Sequence, residues 1–317
     1  MTEETQPVLI LAGPTASGKS TLALALAGQF DGVVINADSM QVYRELRILT
    51  ARPSPADEAR APHRLYGVLS AAERCSAGRW RGMALAEIAA ARDTARLPVV
   101  CGGTGLYLRA LAEGLSPIPD IPAAVRTRLT ARLEAVGAPA LHAELAARDP
   151  GVAGRLEPQD SQRILRALEV LEATGQSLAD WQTGPAEGPP CKMRFATILL
   201  APPRDVLYAA CDRRLAAMLT AGALDELRQL NAMGLDPSLP AMKAVGVREL
   251  GEYLAGNCDF QAGQAAAQQA TRRYAKRQMT WFRHQIVADL LLAEQFSESL
   301  LPKTFSFIRQ KLLTAAG

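Results

Sequence analysis

The stretch "LAGPTASGKSTLA" (residues 11–23) places two glycines and a Lys-Ser pair directly after the apolar run "VLIL". Gly13 to Ser20 fit the spacing G-x-x-x-x-G-K-[ST], in which a glycine-rich turn lets backbone N–H groups point at phosphate oxygens. The following segment, "STLALALAGQF", is rich in good helix formers, and a helix N-terminus adds a dipole that favours anions. The order strand, turn, helix therefore predicts a loop that binds a polyphosphate.

We call residues Gly13 to Ser20 the phosphate loop. Lys19 is expected to neutralise the outer phosphate, and Ser20 to ligate Mg²⁺. The pattern does not identify the molecule that carries the phosphates, because a pyrophosphate ester fits it as well as ATP. A strand-to-helix turn without a ligand is the alternative interpretation. The predicted diphosphate-binding residues are Gly13, Pro14, Thr15, Ala16, Ser17, Gly18, Lys19 and Ser20.

Two further segments, "VVINADSMQVY" (33–43) and "PVVCGGTGLY" (98–107), repeat the pattern of a β-branched run followed by a polar or glycine-rich turn. Helical stretches separate the three segments, which indicates parallel strands with helical crossovers. The fold class expected is α/β, with a parallel sheet like that of the P-loop NTPases. In the third segment, Gly102 and Gly103 allow close backbone approach, and Thr104 offers a hydroxyl donor.

Asp38 follows the second of these strands at its carboxyl end, where ligands bind in open α/β sheets. A carboxylate in this position can ligate Mg²⁺ or accept a proton from a nucleophile. It can equally cap a turn, since Asp before Ser is common in turns. The strand end alone leaves these interpretations open.

The α/β pattern is interrupted by the proline cluster "LSPIPDIPAAV" (115–125), after which the chain shows helical periodicity without a convincing strand. The segment "MRFATILLA" (193–201) then resumes a strand that can join the sheet. We therefore expect an α/β core made of residues 1–120 and 190–317, with C-terminal helices. Residues 121–189 are expected to form an inserted, all-helical subdomain.

Composition limits the class of protein. Lys and Arg (35) nearly balance Asp and Glu (32), so any basic surface must be local. The apolar runs are much shorter than the roughly 20 residues that a membrane span needs. The N-terminal "MTEETQPV" has no basic region or apolar signal core. We expect a cytoplasmic protein, acting as a monomer and without a membrane partner.

Five blocks of the sequence, taken together, resemble the bacterial tRNA dimethylallyltransferases, also called tRNA isopentenyltransferases. The blocks are "GPTASGKS", "DSMQVYRELRILTARPS", "CGGTGLYLRAL", "QDSQRILRALEV" and "TRRYAKRQMTWFR", and they extend from residue 13 to residue 283. The resemblance implies transfer of a dimethylallyl group from dimethylallyl diphosphate to the exocyclic amine of the adenosine 3′ of the anticodon in tRNA. Pyrophosphate would be the second product.

The resemblance also implies roles for individual residues. Asp38 becomes the general base, while Lys19, the phosphate loop and Mg²⁺ stabilise the departing pyrophosphate. Arg214 in "RLAAM" matches a family arginine close to the diphosphate, although Arg213 is adjacent and a solvated helix face would explain both. Thr104 belongs to the same catalytic set.

Further residues match family positions that contact tRNA. One group, with Thr104 and Asp38, would line the pocket of a flipped base. A second group lies in the insert, where ordinary surface charge is the alternative. A third lies in the acid-free segment 271–284, in which Trp281 and Phe282 are expected to anchor a helix in the core. The three groups are Ser39, Met40 and Gln41; Arg126, Gln162, Arg163 and Arg166; and Arg273, Lys276 and Arg277.

Three other functions remain open from the sequence. A small-molecule kinase of the same fold would use ATP, with Asp38 as the base, but it leaves the arginines of the insert and of residues 271–284 unused. An isopentenyltransferase acting on free AMP or ADP is the second, and an RNA-binding module without activity is the third.

Overall fold

A computed structural model describes residues 5–184, 188 and 193–313. The chain divides into two compact units. One consists of Met1–Ala112 and Pro189–Gly317, and the other is Glu113–Gly188. The second unit thus begins eight residues before the expected start of the insert, within the segment that leads into the proline cluster.

The first unit is built on a six-stranded sheet in which all neighbouring strands are parallel. The strand order is β3-β2-β4-β1-β5-β6, so β1 lies inside the sheet between β4 and β5. The expectation of a parallel α/β core is confirmed. The strands are β1 (Gln6–Ala12), β2 (Gly32–Asn36), β3 (His63–Arg64), β4 (Leu97–Gly102), β5 (Met193–Leu200) and β6 (Leu290–Leu292).

Helices cover both faces of this sheet, which explains why its central strands are continuous apolar runs. Leu9 and Leu11 belong to a cluster that includes Leu22 and Leu26 of the first helix, whereas Val8 and Ile10 pack in a different cluster with Trp80. The helices of this unit are α1 (Lys19–Gln29), α2 (Pro55–Arg60), α3 (Ala77–Asp93), α4 (Gly105–Ala112), α9 (Arg204–Thr220), α10 (Ala223–Ala232), α11 (Val247–Leu254), α12 (Phe260–Gln285) and α13 (Leu301–Ile308).

Apart from a single β-bridge residue, Leu115, the regular structure among residues 113–184 and 188 of the second unit is helical. Its helices are α5 (Ala123–Arg148), α6 (Pro150–Ala153), α7 (Ser161–Thr174) and α8 (Leu178–Thr183). Gly137, with φ of 78°, breaks α5 into two helical stretches. Asp160 caps the start of α7, and Gly175, with φ of 71°, ends it. Between residues 123 and 183 the elements of this unit are helices, the arrangement that the sequence predicts for an insert.

No helix in the described ranges is both long and apolar enough to cross a membrane.

Candidate functional site

The loops that follow β1, β2 and β4 meet at one edge of the sheet, because parallel strands share the direction of their carboxyl ends. The Ala37 N–H donates to the carbonyl of Cys101 (2.8 Å), and the Thr104 N–H donates to the carbonyl of Ala37 (3.2 Å). The Ser39 N–H donates to the Thr104 hydroxyl oxygen at 2.9 Å. These contacts bring the second and third predicted segments together.

The phosphate loop has the backbone of an anion-binding turn. Ala16 (φ 63°) and Gly18 (φ 89°) both lie in the left-handed region, and α1 begins at Lys19. A Cβ on Gly13 would come within 2.9 Å of the Ser17 hydroxyl and 3.0 Å of the Leu200 carbonyl oxygen, so only glycine fits there. The Ser17 hydroxyl is buried and has no hydrogen-bond partner in the described structure.

Lys19 and Ser20 begin helix α1. The Lys19 ammonium donates to the carbonyl of Pro14 at 3.3 Å. Burial lowers the pKa of Lys19, and the nearby Arg214 adds to this, whereas the thiol of Cys101 and the carboxylate of Asp38 oppose it. A phosphate at the loop would supply the counter-charge that this lysine lacks.

The Ser20 side chain is exposed at the second position of α1. Its hydroxyl suits Mg²⁺, which usually takes one or two protein ligands and completes its octahedron with substrate phosphates and water. The described residues hold no cluster of three or more His, Cys, Asp or Glu that would form an all-protein metal site. The Ser20 hydroxyl thus suits an ion whose other ligands come from a bound phosphate and water.

Arg214 and Arg213 differ in their environment. The Arg214 guanidinium donates to the Thr15 hydroxyl, so it lies directly against the phosphate loop. Burial lowers its pKa, and its Nε is buried without a hydrogen-bond partner in the described structure. Arg213 is exposed to solvent. Of the two adjacent arginines, the structure places Arg214 at the loop.

Asp38 caps a turn, which is one of the interpretations that the sequence leaves open. Its Oδ1 accepts the Met40 N–H at 2.9 Å, as in an Asx turn, and its own N–H donates to the side chain of Asn36 at 2.8 Å. Its Oδ2 has no hydrogen-bond partner among the described residues. The turn therefore fixes the carboxylate and leaves one oxygen available to a ligand.

A cavity of about 190 Å³ lies at this edge of the sheet. Its wall joins the phosphate loop to Asp38 and includes both an apolar and a basic part. Several lining residues were not predicted from the sequence. The wall consists of Thr15, Asp38, Ser39, Met40, Leu49, Thr50, Cys211, Arg214, Leu215, Met218, Lys243, Ala244, Val245, Thr271, Tyr274 and Arg277.

Gln41 and Thr104 lie next to the cavity and are not part of its wall. The Gln41 amide donates to the carbonyls of Thr50 (2.8 Å) and Ala51 (3.1 Å), so it holds the loop that supplies part of the wall. The Thr104 hydroxyl donates to the Ser39 hydroxyl at 3.2 Å. Both residues shape the pocket through their neighbours.

Tyr274 is a polar residue of the wall that sequence reasoning missed. Burial raises the pKa of its phenol, and the charge of Asp38 raises it further, so the phenol stays neutral and can donate a hydrogen bond. Thr271, Tyr274 and Arg277 recur at intervals of three on α12 and therefore share one face. The sequence shows this spacing, but the basic residues between these three positions drew the interpretation of the segment toward phosphate binding.

The basic segment of α12 divides as predicted. Arg273, Lys276 and Arg277 are exposed, while Phe282 is fully buried and Trp281 is partly buried against the core. Arg272 differs from Arg273, Lys276 and Arg277, because it pairs with Asp212 at 2.7 and 2.9 Å.

The three arginines of the second unit that were expected to contact tRNA each pair with a carboxylate of that unit. Arg126 on α5 makes a bidentate contact with Glu169 on α7 (2.8 and 3.1 Å), and Arg166 lies 3.6 Å from the same carboxylate. Glu169 is buried, so Arg126 stabilises the packing of α5 on α7. Arg163 is the most exposed of the three, and Gln162 beside it is also exposed.

Comparison with known proteins identifies the family. The family model described as IPP transferase matches residues 41–285, and the one described as Isopentenyl transferase matches residues 6–72. A protein of Rhodospirillum centenum named tRNA dimethylallyltransferase is 63% identical over 284 residues, which is 90% of each chain. A protein of the same name from Paramagnetospirillum magneticum is 55% identical over 315 residues, covering 99% of this chain and all of the relative.

Solved structures agree. The full-length tRNA isopentenylpyrophosphate transferase of Bacillus halodurans superimposes with a TM-score of 0.71 at 30% identity, covering 98% of this chain and 97% of that one. A eukaryotic dimethylallyltransferase acting on tRNA gives a TM-score of 0.79 at 26% identity, covering 96% of this chain and 78% of that one. With this fold, this cavity and these matches, the chain belongs to the IPP transferase family of tRNA-modifying enzymes.

Proposed function

We propose that this chain transfers the dimethylallyl group of dimethylallyl diphosphate to the exocyclic amine (N6) of the adenosine 3′-adjacent to the anticodon in tRNA, and releases pyrophosphate. The observation that carries the proposal is a cavity whose wall contains Thr15 of the phosphate loop, Arg214 against it, and Asp38 with an available carboxylate oxygen. Family membership supports the reaction class.

The diphosphate is held where negative charge develops. As the C–O bond to the dimethylallyl group breaks, the electron pair goes to the pyrophosphate. Loop N–H groups, the Lys19 ammonium and the Arg214 guanidinium are positioned in advance to stabilise that charge. Mg²⁺ bound with the diphosphate and Ser20 would neutralise further charge.

The amine of adenine is a poor nucleophile until its proton has an acceptor. As the N–C bond forms, the proton moves to Oδ2 of Asp38, the carboxylate oxygen that the turn leaves without a partner. The neutral phenol of Tyr274, in the same cavity wall, is a donor suited to orienting the base. Thr104 acts through Ser39, because its hydroxyl accepts the Ser39 N–H and donates to the Ser39 hydroxyl. Ser39 and Met40 supply the adjacent wall.

The target base must leave its stack to reach such a cavity. The exposed cations Arg273, Lys276 and Arg277 on α12 are suited to backbone phosphates of the anticodon stem-loop. In the second unit, exposed Gln162 and Arg163 are the better candidates for tRNA contact. Arg126 and Arg166 would meet the RNA as guanidiniums already oriented by Glu169. Because its substrate is tRNA, we propose that the enzyme acts in the cytoplasm. We expect it to act as a monomer.

The test is an assay with labelled dimethylallyl diphosphate and an unmodified anticodon stem-loop, run beside AMP as the competing acceptor. We expect label in the RNA and none in AMP. Transfer to AMP, or ATP hydrolysis with a small metabolite in place of transfer, would refute the proposal. Asp38→Ala is expected to abolish transfer while stem-loop binding stays within a few fold; transfer that persists would remove Asp38 as the base.

A further inference from the structure

Gln278 on α12 lies outside the cavity wall but contacts both loops that the proposed reaction uses. Its Oε1 accepts the Thr15 N–H of the phosphate loop at 2.8 Å. Its Nε2 donates to the carbonyl of Gly103, after β4, also at 2.8 Å. One side-chain amide thus spans two loops that lie 263 and 175 residues away along the chain.

The amide is buried, with only 6% of the residue exposed. Each of its two partners would be left unpaired in a buried or half-buried setting if the amide were removed, and an unmade hydrogen bond costs more there than a made one gains. Position 278 therefore needs a side chain that carries one hydrogen-bond acceptor and one donor at a fixed separation. Among side chains of this size, only Gln supplies both.

Glycines in the β4 loop allow α12 to approach so closely. A Cβ on Gly103 would lie 2.3 Å from Nε2 of Gln278, and a Cβ on Gly105 would lie 2.0 Å from the ring of Trp281. The close backbone approach that the sequence predicts at the "GGTG" turn is thus made by side chains of α12. This is a second and independent observation that the helix and the turn are matched.

Each end of the bridge leads to a reacting group. At one end, the hydroxyl of Thr15 accepts a hydrogen bond from the Arg214 guanidinium. Gly103, at the other, precedes Thr104, whose hydroxyl oxygen accepts the Ser39 N–H next to Asp38. A shift of the amide would move the diphosphate side relative to the carboxylate side.

We propose that Gln278 is a positioning residue that sets the separation between the phosphate loop and the Asp38–Thr104 side of the cavity. The inference rests on the proposed function, since it deepens the role of the same site. Gln278 touches neither substrate; it acts through Thr15 and Gly103.

The experiment compares Gln278→Ala with Gln269→Ala, which removes an exposed glutamine from the same helix. Two readouts are taken: kcat and KM for dimethylallyl diphosphate with saturating stem-loop, and binding of Mg²⁺-pyrophosphate by calorimetry. Losing two hydrogen bonds predicts a fall in kcat/KM of about tenfold to a hundredfold for Gln278→Ala, with kcat reduced per folded molecule. Gln269→Ala should match wild type.

A double-mutant cycle with Gly103→Ala separates positioning from stability. The new Cβ displaces the amide, so Gly103→Ala alone should lower kcat, but it should add less than about twofold in the Gln278→Ala background. Effects that multiply would overturn the proposal, as would Gln278→Ala within about twofold of Gln269→Ala. If Gln278→Ala melts below the assay temperature, Gln278→Glu, which keeps the acceptor for Thr15, is judged by the same limits.

The two proposals fail in different ways. A wild-type chain that transfers nothing to RNA contradicts the proposed function. Pyrophosphate binding then still decides the inference, because weaker binding in Gln278→Ala than in Gln269→Ala supports the bridge and equal binding overturns it.

Discussion

Glu226 on α10 holds the loop that supplies part of the cavity wall. Its Oε2 accepts the backbone N–H groups of Arg47 (2.8 Å) and Ile48 (2.7 Å), and its Oε1 accepts that of Leu49 (2.9 Å). One carboxylate thus satisfies three consecutive N–H groups. Because Leu49 and its neighbour Thr50 line the cavity, we predict that Glu226→Ala loosens this wall.

The magnitude follows from the contacts. Hydrogen bonds to a charged group contribute about 1.5–3 kcal/mol each, but the site is half-exposed and water replaces part of the loss, so about 1 kcal/mol per bond is used. Three bonds give about 3 kcal/mol, which corresponds to about a hundredfold faster amide exchange in the loop if it opens locally. Because the loosened loop supplies part of the cavity wall, Glu226→Ala should also raise the KM for dimethylallyl diphosphate or for the stem-loop.

Hydrogen exchange followed by mass spectrometry of peptides covering residues 46–52 is the assay. Asp225→Ala is the matched control: Asp225 lies in the same first turn of α10, is 74% exposed in its side chain and pairs with Arg228 at the surface. That pair should contribute less than about 1 kcal/mol, so exchange in the loop should stay at the wild-type rate. Equal exchange at residues 47–49 in the two variants would refute the reasoning.

Three further predictions concern the site itself. Asp38→Asn keeps an acceptor for the Met40 N–H but removes the base, so kcat should fall about 10²- to 10⁴-fold in single-turnover assays while pyrophosphate binding is retained; wild-type kcat would contradict this. Arg214→Ala should weaken pyrophosphate binding by calorimetry at least about tenfold, whereas Arg213→Ala should not, since Arg213 is exposed; equal losses would contradict the assignment. Gly102→Ala should prevent stable folding, measured by thermal melting, because its Cβ would lie 2.1 Å from the Ala37 carbonyl oxygen; a melt within about 2 °C of wild type would show that the strand can shift.

Much of the fold was predictable because its signals are local. The phosphate loop, the strands β1, β2, β4 and β5, and the two caps of α7 each depend on residues within one short window. Strands β3 and β6 were not predicted: with two and three residues, they are too short for a periodic pattern, and pairing with β2 and β5 defines them.

Only part of the site was predictable, because only some of its residues belong to local sequence patterns. Asp38 and Lys19 follow strands and belong to motifs, so the sequence indicates them. Glu226, Gln278 and Tyr274 act on residues far away in the chain, and nothing near them in sequence records those partners. Their identification required the tertiary contacts.

The position of β1 in the sheet has a consequence for synthesis. β1 carries the phosphate loop and pairs with β4 on one side and β5 on the other. Once β4 has been synthesised, residues 103–192, including the whole second unit, must still be made before β5 can pair. During that interval β1 presents an apolar, unpaired edge, the kind of surface on which nascent chains aggregate. A nascent chain arrested within residues 103–192 should therefore need chaperone protection that the finished enzyme does not.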